Sequence, residues 1–246
     1  MQQKLPTPNR PAKMPRYAVS DIHGCKKTFE KLLFETLQLQ KTDELYLLGD
    51  YIDRGPDSKG VIDLILQLRE EGYRVFTLRG NHEDMMVSCL EMEYIDDMHL
   101  WVAQGGKETL QSFGVTNPHQ IPSKYWQFFD ELELYLELDD YLLVHAGFNF
   151  TKGNFFADEL AMLWIRNWYS DIKPQLLNGK TIVHGHTPTP DFLIMQMADA
   201  KPYMVQNIDA GCVYYKYPGL GYLCAFNMDE HILYFQPNVD MPVSDK

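Results

Sequence analysis

Asp21, His23, Asp50, Asn81, His82, His145, His184 and His186 make up a set of carboxylate, imidazole and amide groups that contains no thiolate. They stand just beyond short apolar runs at residues 16–20, 44–48, 74–78, 141–144 and 181–183. Runs of that length and composition read as strands. Open α/β sheets build their sites at the carboxyl ends of strands, so loops there can converge from positions far apart in the chain. Oxygen and imidazole donors suit Mn, Fe, Zn or Mg better than a structural cysteine–zinc site. The donors outnumber the needs of one ion. Two ions roughly 3.5–4 Å apart that share a carboxylate can hydrolyse phosphate esters.

The elements that must hold these residues follow from periodicity. Between the first three runs lie stretches with apolar residues at helical spacing, Phe29, Leu32, Leu33 and Leu37 in one and Val61, Ile62, Leu64, Ile65 and Leu68 in the other. Strand–helix alternation at this interval predicts βαβ units and parallel pairing. Residues 84–132 turn helical and irregular and read as a helical insertion. Residues 134–138 and 141–144 predict an antiparallel hairpin, and the chain after residue 180 reads as mostly β. The expected plan is a flexible lead-in over 1–14, one domain over 15–237 and a loose tail over 238–246. Pro6, Pro8 and Pro11 forbid regular structure in the lead-in.

Lys+Arg 22 against Asp+Glu 34 gives a formal charge of -12. That balance disfavours nucleic acid and anionic membranes as partners. The four cysteines form no Cys-x-x-Cys pair, so reduced thiols in a cytoplasmic protein are expected. The sequence has no apolar run long enough for a membrane span.

Five motifs occur in order: Asp21-Ile22-His23-Gly24, Gly49-Asp50-Tyr51-Ile52-Asp53-Arg54-Gly55, Gly80-Asn81-His82-Glu83, Val144-His145-Ala146-Gly147 and Gly185-His186-Thr187. Together they resemble the calcineurin-like metallophosphoesterases. The Asp-Arg-Gly and Asn-His-Glu forms resemble the phosphoprotein phosphatase branch, above all its small bacterial and phage serine/threonine phosphatases. The resemblance implies a four-layer α/β/β/α fold, a central mixed β-sandwich flanked by helices. It implies two divalent ions, Mn in vitro with Fe, Zn or Mg as alternatives, that activate a water for in-line attack on phosphorus. Asp21 and His23 would bind one ion, Asp50 would bridge, and Asn81, His145 and His186 would complete the other. His82, oriented by Asp53, would protonate the leaving group, with Arg54 and Arg166 gripping the phosphate. Ser20 departs from the family, which usually has glycine there.

Alternatives exist for individual residues. Asp21 suits a helix cap, Asp53 and Arg54 an ion pair, Arg166 a salt bridge. His145 alone would read as a core histidine, and His184 as structural or as a support to the ligands. For the whole chain, the first expectation is a serine/threonine protein phosphatase acting on a phosphorylated protein or small phosphoester. A dinucleoside polyphosphate hydrolase is the alternative, and a non-catalytic phospho-ligand binding module the second alternative.

Overall fold

The computed structural model describes residues 14–91, 95–200 and 204–241. Almost all of the expected lead-in and residues 242–246 of the expected tail lie outside the described residues. Strands β1 (Arg16–Val19), β2 (Glu44–Leu47) and β3 (Arg74–Thr77) pair in parallel. Helices α1 (Lys26–Lys31) and α2 (Ser58–Glu70) connect them. Asp57 caps α2 by accepting a 2.9 Å hydrogen bond from Gly60 N. Past Lys31 the first crossover widens into an i→i+5 turn over Leu32–Thr36, which ends the helix earlier than its apolar spacing predicts.

The expected insertion contains α3 (Asn81–Glu91), α4 (Ile95–Trp101), α5 (Lys107–Phe113) and α6 (Ser123–Asp130). The expected hairpin is β4 (Tyr135–Glu137) with β5 (Tyr141–Val144), antiparallel. After α7 (Glu159–Trp164) come β6 (Thr181–His184), α8 (Asp191–Asp199), β7 (Val205–Asn207), β8 (Tyr222–Asn227) and β9 (Ile232–Pro237). Helix α8 interrupts what read as a β-rich region.

Two mixed sheets result, ordered β3-β2-β1-β8-β9 and β4-β5-β6-β7. Period-two alternation sorts their side chains into layers. Val19, Leu45 and Leu47 pack with Phe29, Val61 and Ile65 beneath the helices. Ala18 and Tyr46 turn the other way and meet Leu143, Val183 and Phe226 between the sheets. Leu142, Val144 and Ile182 pack outward on Phe148, Phe150 and Trp168. This is the mixed α/β architecture the motifs implied.

At the end of the sandwich opposite the strands' carboxyl termini, Arg16 joins the sheets. Its guanidinium donates to both oxygens of Asp140 at 2.8 Å and to Asp229 Oδ1 at 2.8 Å. Asp140 lies in the β4–β5 turn, Asp229 in the β8–β9 turn. Asp140 keeps nearly half its surface in water, which discounts its share. Arg16→Ala should cost about 1–2 kcal/mol of stability, read by urea denaturation. An unmoved midpoint would show that the network adds nothing.

Residues 238–241, expected to be loose, are tied to α1. Asp240 accepts from Lys27 N at 3.0 Å and Thr28 N at 2.8 Å, so it caps the helix that Cys25 leaves uncapped. Sequence spacing cannot show a cap that arrives from more than 200 residues away.

Candidate active site

The carboxyl ends of β1, β2, β5 and β6 bring Asp21, His23, Asp50, His145 and His186 together, all buried. Asn81 and His82 open α3 in the same place and are buried as well. Backbone strain concentrates here: Asp21, His23, Asp50, Asp53, Arg54 and His186 all adopt φ between 46° and 72°. Left-handed backbone at non-glycine residues is costly and persists where surrounding contacts enforce it, often at functional sites. Glycine permits the crowding between the loops. A Cβ on Gly185 would lie 2.1 Å from Asp21 Oδ2, and one on Gly49, itself at φ 97°, would lie 2.5 Å from Gly80 N.

Asp50 sits at the centre. His23 Nε2 lies 3.6 Å from its Oδ2, and His145 Nε2 lies 3.6 Å from its Oδ1. Those separations are too long for hydrogen bonds but suit two donors placed around a cation. Each imidazole is anchored through Nδ1, which turns Nε2 toward Asp50. His23 Nδ1 bonds Ile52 O at 2.9 Å and His145 Nδ1 bonds Leu48 O at 2.9 Å. Asn81 Oδ1 lies 2.9 Å from His145 Nε2 and 2.8 Å from His186 Nδ1. The donor atoms of His23, Asp50 and His82, and those of Asp50, His145 and His186, form two groups with ligand-like spacing that share Asp50. The buried Nε2 of His186 has no hydrogen-bond partner. These donors fit a pair of divalent cations.

Charge follows the same division. Burial holds the pKa values of His23 and His145 below the ordinary value, and pushes that of His186 down to about 2. Neutral imidazole is the form that ligates metal. Burial also opposes protonation of His82, but Asp50 and Asp53 outweigh it and raise its pKa. His82 Nδ1 bonds Asp53 Oδ2 at 2.7 Å, and that carboxylate takes further bonds from Trp101 Nε1 at 2.9 Å and Thr109 Oγ1 at 2.6 Å.

Asp21 stands slightly apart from both donor groups. It accepts from the Ser20 hydroxyl and, at 3.0 Å, from His186 N. Ser20, the departure from the family pattern, therefore touches a candidate ligand. Arg54 reaches into the cleft, with Nη1 2.8 Å from His23 Nε2 and its guanidinium 5.7 Å from the Tyr214 ring centre. Exposed Arg166 donates to Thr187 Oγ1 at 3.1 Å, next to His186. His184 belongs to neither donor group and is bonded to Tyr169 OH at 2.6 Å.

Three features lay outside the sequence reading. Trp101 and Thr109 of the insertion support Asp53. Glu83, quoted as part of a motif, accepts from the backbone N–H groups of Asp50, Tyr51, Ile52 and Gly80 at 2.8–3.2 Å and so fixes the Asp50 loop. Asp209 is fully buried among these charges, and burial with the nearby Asp50 pushes its pKa up to about 7. It follows β7 and stands two residues before Gly211, much as Asp50 follows β2 beside Gly49, so part of the same signal is present in the sequence.

Residues 14–225 match the family model described as calcineurin-like phosphoesterase. The chain belongs to that family. Among curated relatives, an asymmetrical bis(5'-nucleosyl)-tetraphosphatase, PrpE of Oceanobacillus iheyensis, is 25% identical over 80% of this chain and 83% of its own. A symmetrical bis(5'-nucleosyl)-tetraphosphatase of Nitrosomonas europaea is 31% identical over 54% of this chain and 45% of its own. Among solved structures, a putative diadenosine tetraphosphatase superposes with TM-score 0.65 at 20% identity, covering 94% of this chain and 96% of the other. A serine/threonine phosphatase from Saccharomyces cerevisiae gives 0.62 at 17% identity, covering 94% and 82%. At those identities the two structures bear on fold alone. The family makes this chain a phosphoester hydrolase. No helix among the described residues is long and apolar enough to cross a membrane.

Proposed function

We propose that the site is a dinuclear phosphohydrolase centre in which Asp50 would be the ligand common to two divalent ions. The observation that carries this reading is the placement of His23 and His145 3.6 Å from opposite oxygens of one buried carboxylate. Asp21 and His23 would serve one ion, although His82 rather than Asp21 completes the donor group around His23 and Asp50, and Asn81, His145 and His186 would serve the other. Bound there, such ions would supply hydroxide at neutral pH and offset phosphate charge.

The chain's own residues supply the rest. Arg54 and Arg166 present guanidinium forks that match phosphate oxygens. Asp53 fixes His82 through Nδ1, leaving Nε2 to donate a proton to the leaving oxygen. Trp101 and Thr109 prevent Asp53 from turning away.

For the substrate, two curated relatives support a dinucleoside polyphosphate, which moves the alternative of the sequence reading ahead of the phosphoprotein. One observation favours the phosphoprotein: the Asp53–His82 pair, because a strongly basic serine or threonine alkoxide needs a proton more than a departing nucleotide does. Mn-supplemented protein assayed in parallel on a dinucleoside tetraphosphate, a phosphoserine peptide, a phosphotyrosine peptide and p-nitrophenyl phosphate separates the readings. The highest kcat/KM is expected on the dinucleotide. Preference for phosphoserine restores the protein phosphatase, and turnover of none overturns the hydrolase.

A further inference from the structure

A second concavity adjoins the metal-ligand cluster and plays no part in the chemistry above. It is a cavity of about 600 Å³ between the 167–170 loop and α8. That size lies within the roughly 300–1,000 Å³ range of sites that enclose a whole small molecule, and exceeds what one amino-acid side chain would fill. Its walls include Trp168, Tyr169, Leu193 and Met197, with amide side chains from Asn167 and Gln196. Apolar and aromatic surface with a few groups able to donate and accept is the composition that holds a flat heterocycle.

Its position ties it to the phosphate site. Asn167 follows Arg166 directly, and Thr187 of the cavity wall both follows His186 and takes the hydrogen bond from Arg166 Nη1. The wall is braced from behind: Asn207 Nδ2 donates to Thr187 O and Thr189 Oγ1, each at 2.9 Å, and Tyr169 OH is bonded to buried His184. Tyr169 nonetheless keeps 43% of its surface exposed. That leaves its ring available for stacking.

We propose that this cavity is a nucleoside subsite, holding the base and sugar of a nucleotide whose phosphate sits at Arg166 and the metal-ligand cluster. The inference rests on the phosphohydrolase reading for where the phosphate lies. It gives His184 a role too, as the group that positions Tyr169.

The test compares two probes that share the phosphate and differ in the nucleoside, adenosine 5'-monophosphate and inorganic phosphate, as inhibitors of p-nitrophenyl phosphate hydrolysis. The nucleotide should bind at least about tenfold more tightly than phosphate, in line with the worth of a single base stack. Met197→Trp, which puts a bulky ring into the space the base would take, should abolish that advantage. Tyr169→Leu, which removes the ring but stays apolar, serves the same purpose should the tryptophan variant fail to fold. An equal affinity for the two probes, or an advantage that survives the substitution, overturns the subsite. Should the protein hydrolyse nothing, isothermal titration with the same two probes reads the same difference, so loss of the hydrolase reading and loss of the subsite stay distinguishable.

Discussion

On a phosphoserine peptide, the slower substrate with the more basic leaving group, His82→Asn is expected to be about 10²–10⁴-fold slower than the unchanged protein, the usual worth of a positioned acid. Metal content should stay the same. The side chain's Nδ1 is committed to Asp53, and its backbone N–H donates independently to Asp50 Oδ1 at 3.1 Å. Asparagine keeps that backbone contact. It cannot deliver a proton to a leaving oxygen. The loss should shrink on p-nitrophenyl phosphate, whose leaving group needs little protonation, and that contrast separates lost acid catalysis from a general disturbance. Full turnover of the peptide by the variant would remove His82 from the chemistry.

Asp50→Asn should abolish the dinuclear centre. Partners one step removed from a metal typically matter about 10–100-fold, so loss of a shared ligand should cost more than about 100-fold in activity. A second readout does not depend on turnover. Buried carboxylates crowd the region, and the pKa values of Asp21, Glu83 and Asp209 are all raised by burial and by the neighbouring Asp50. Cations bound only by the folded chain relieve that repulsion and stabilise it by mass action. Mn should therefore raise the melting temperature of the unchanged protein and leave that of Asp50→Asn nearly unmoved. An equal rise in both would contradict the bridging assignment.

Much of this centre was legible in the sequence because strand ends and donor types are local signals. An apolar run followed by a carboxylate or imidazole beside glycine marked Asp50 and His145 without any tertiary information. Asp209 carries the signal more weakly, because Gln206 and Asn207 interrupt the apolar run before it and Gly211 stands two residues on. What the sequence did not disclose depends on distant partners. Trp101 and Thr109 stand in an irregular helical region, and only the folded chain shows their bonds to Asp53. Residues 238–241 are polar and terminal, yet Asp240 caps a helix at the other end of the chain. Helix α8 leaves little local trace, because no cap side chain marks its start, and the segment reads as part of a β-rich region. The helix that widens into an i→i+5 turn past Lys31 carries a companion lesson: apolar spacing predicts which face is buried more surely than where a helix stops.

The central claim is that one carboxylate joins two ions, and bound metal per chain measures it directly. Metal-free protein titrated with Mn at neutral pH, with free and bound ion separated and counted, should take up two ions per chain, and Asp50→Asn should fail to retain both. Saturation of the unchanged protein at one ion would contradict the account.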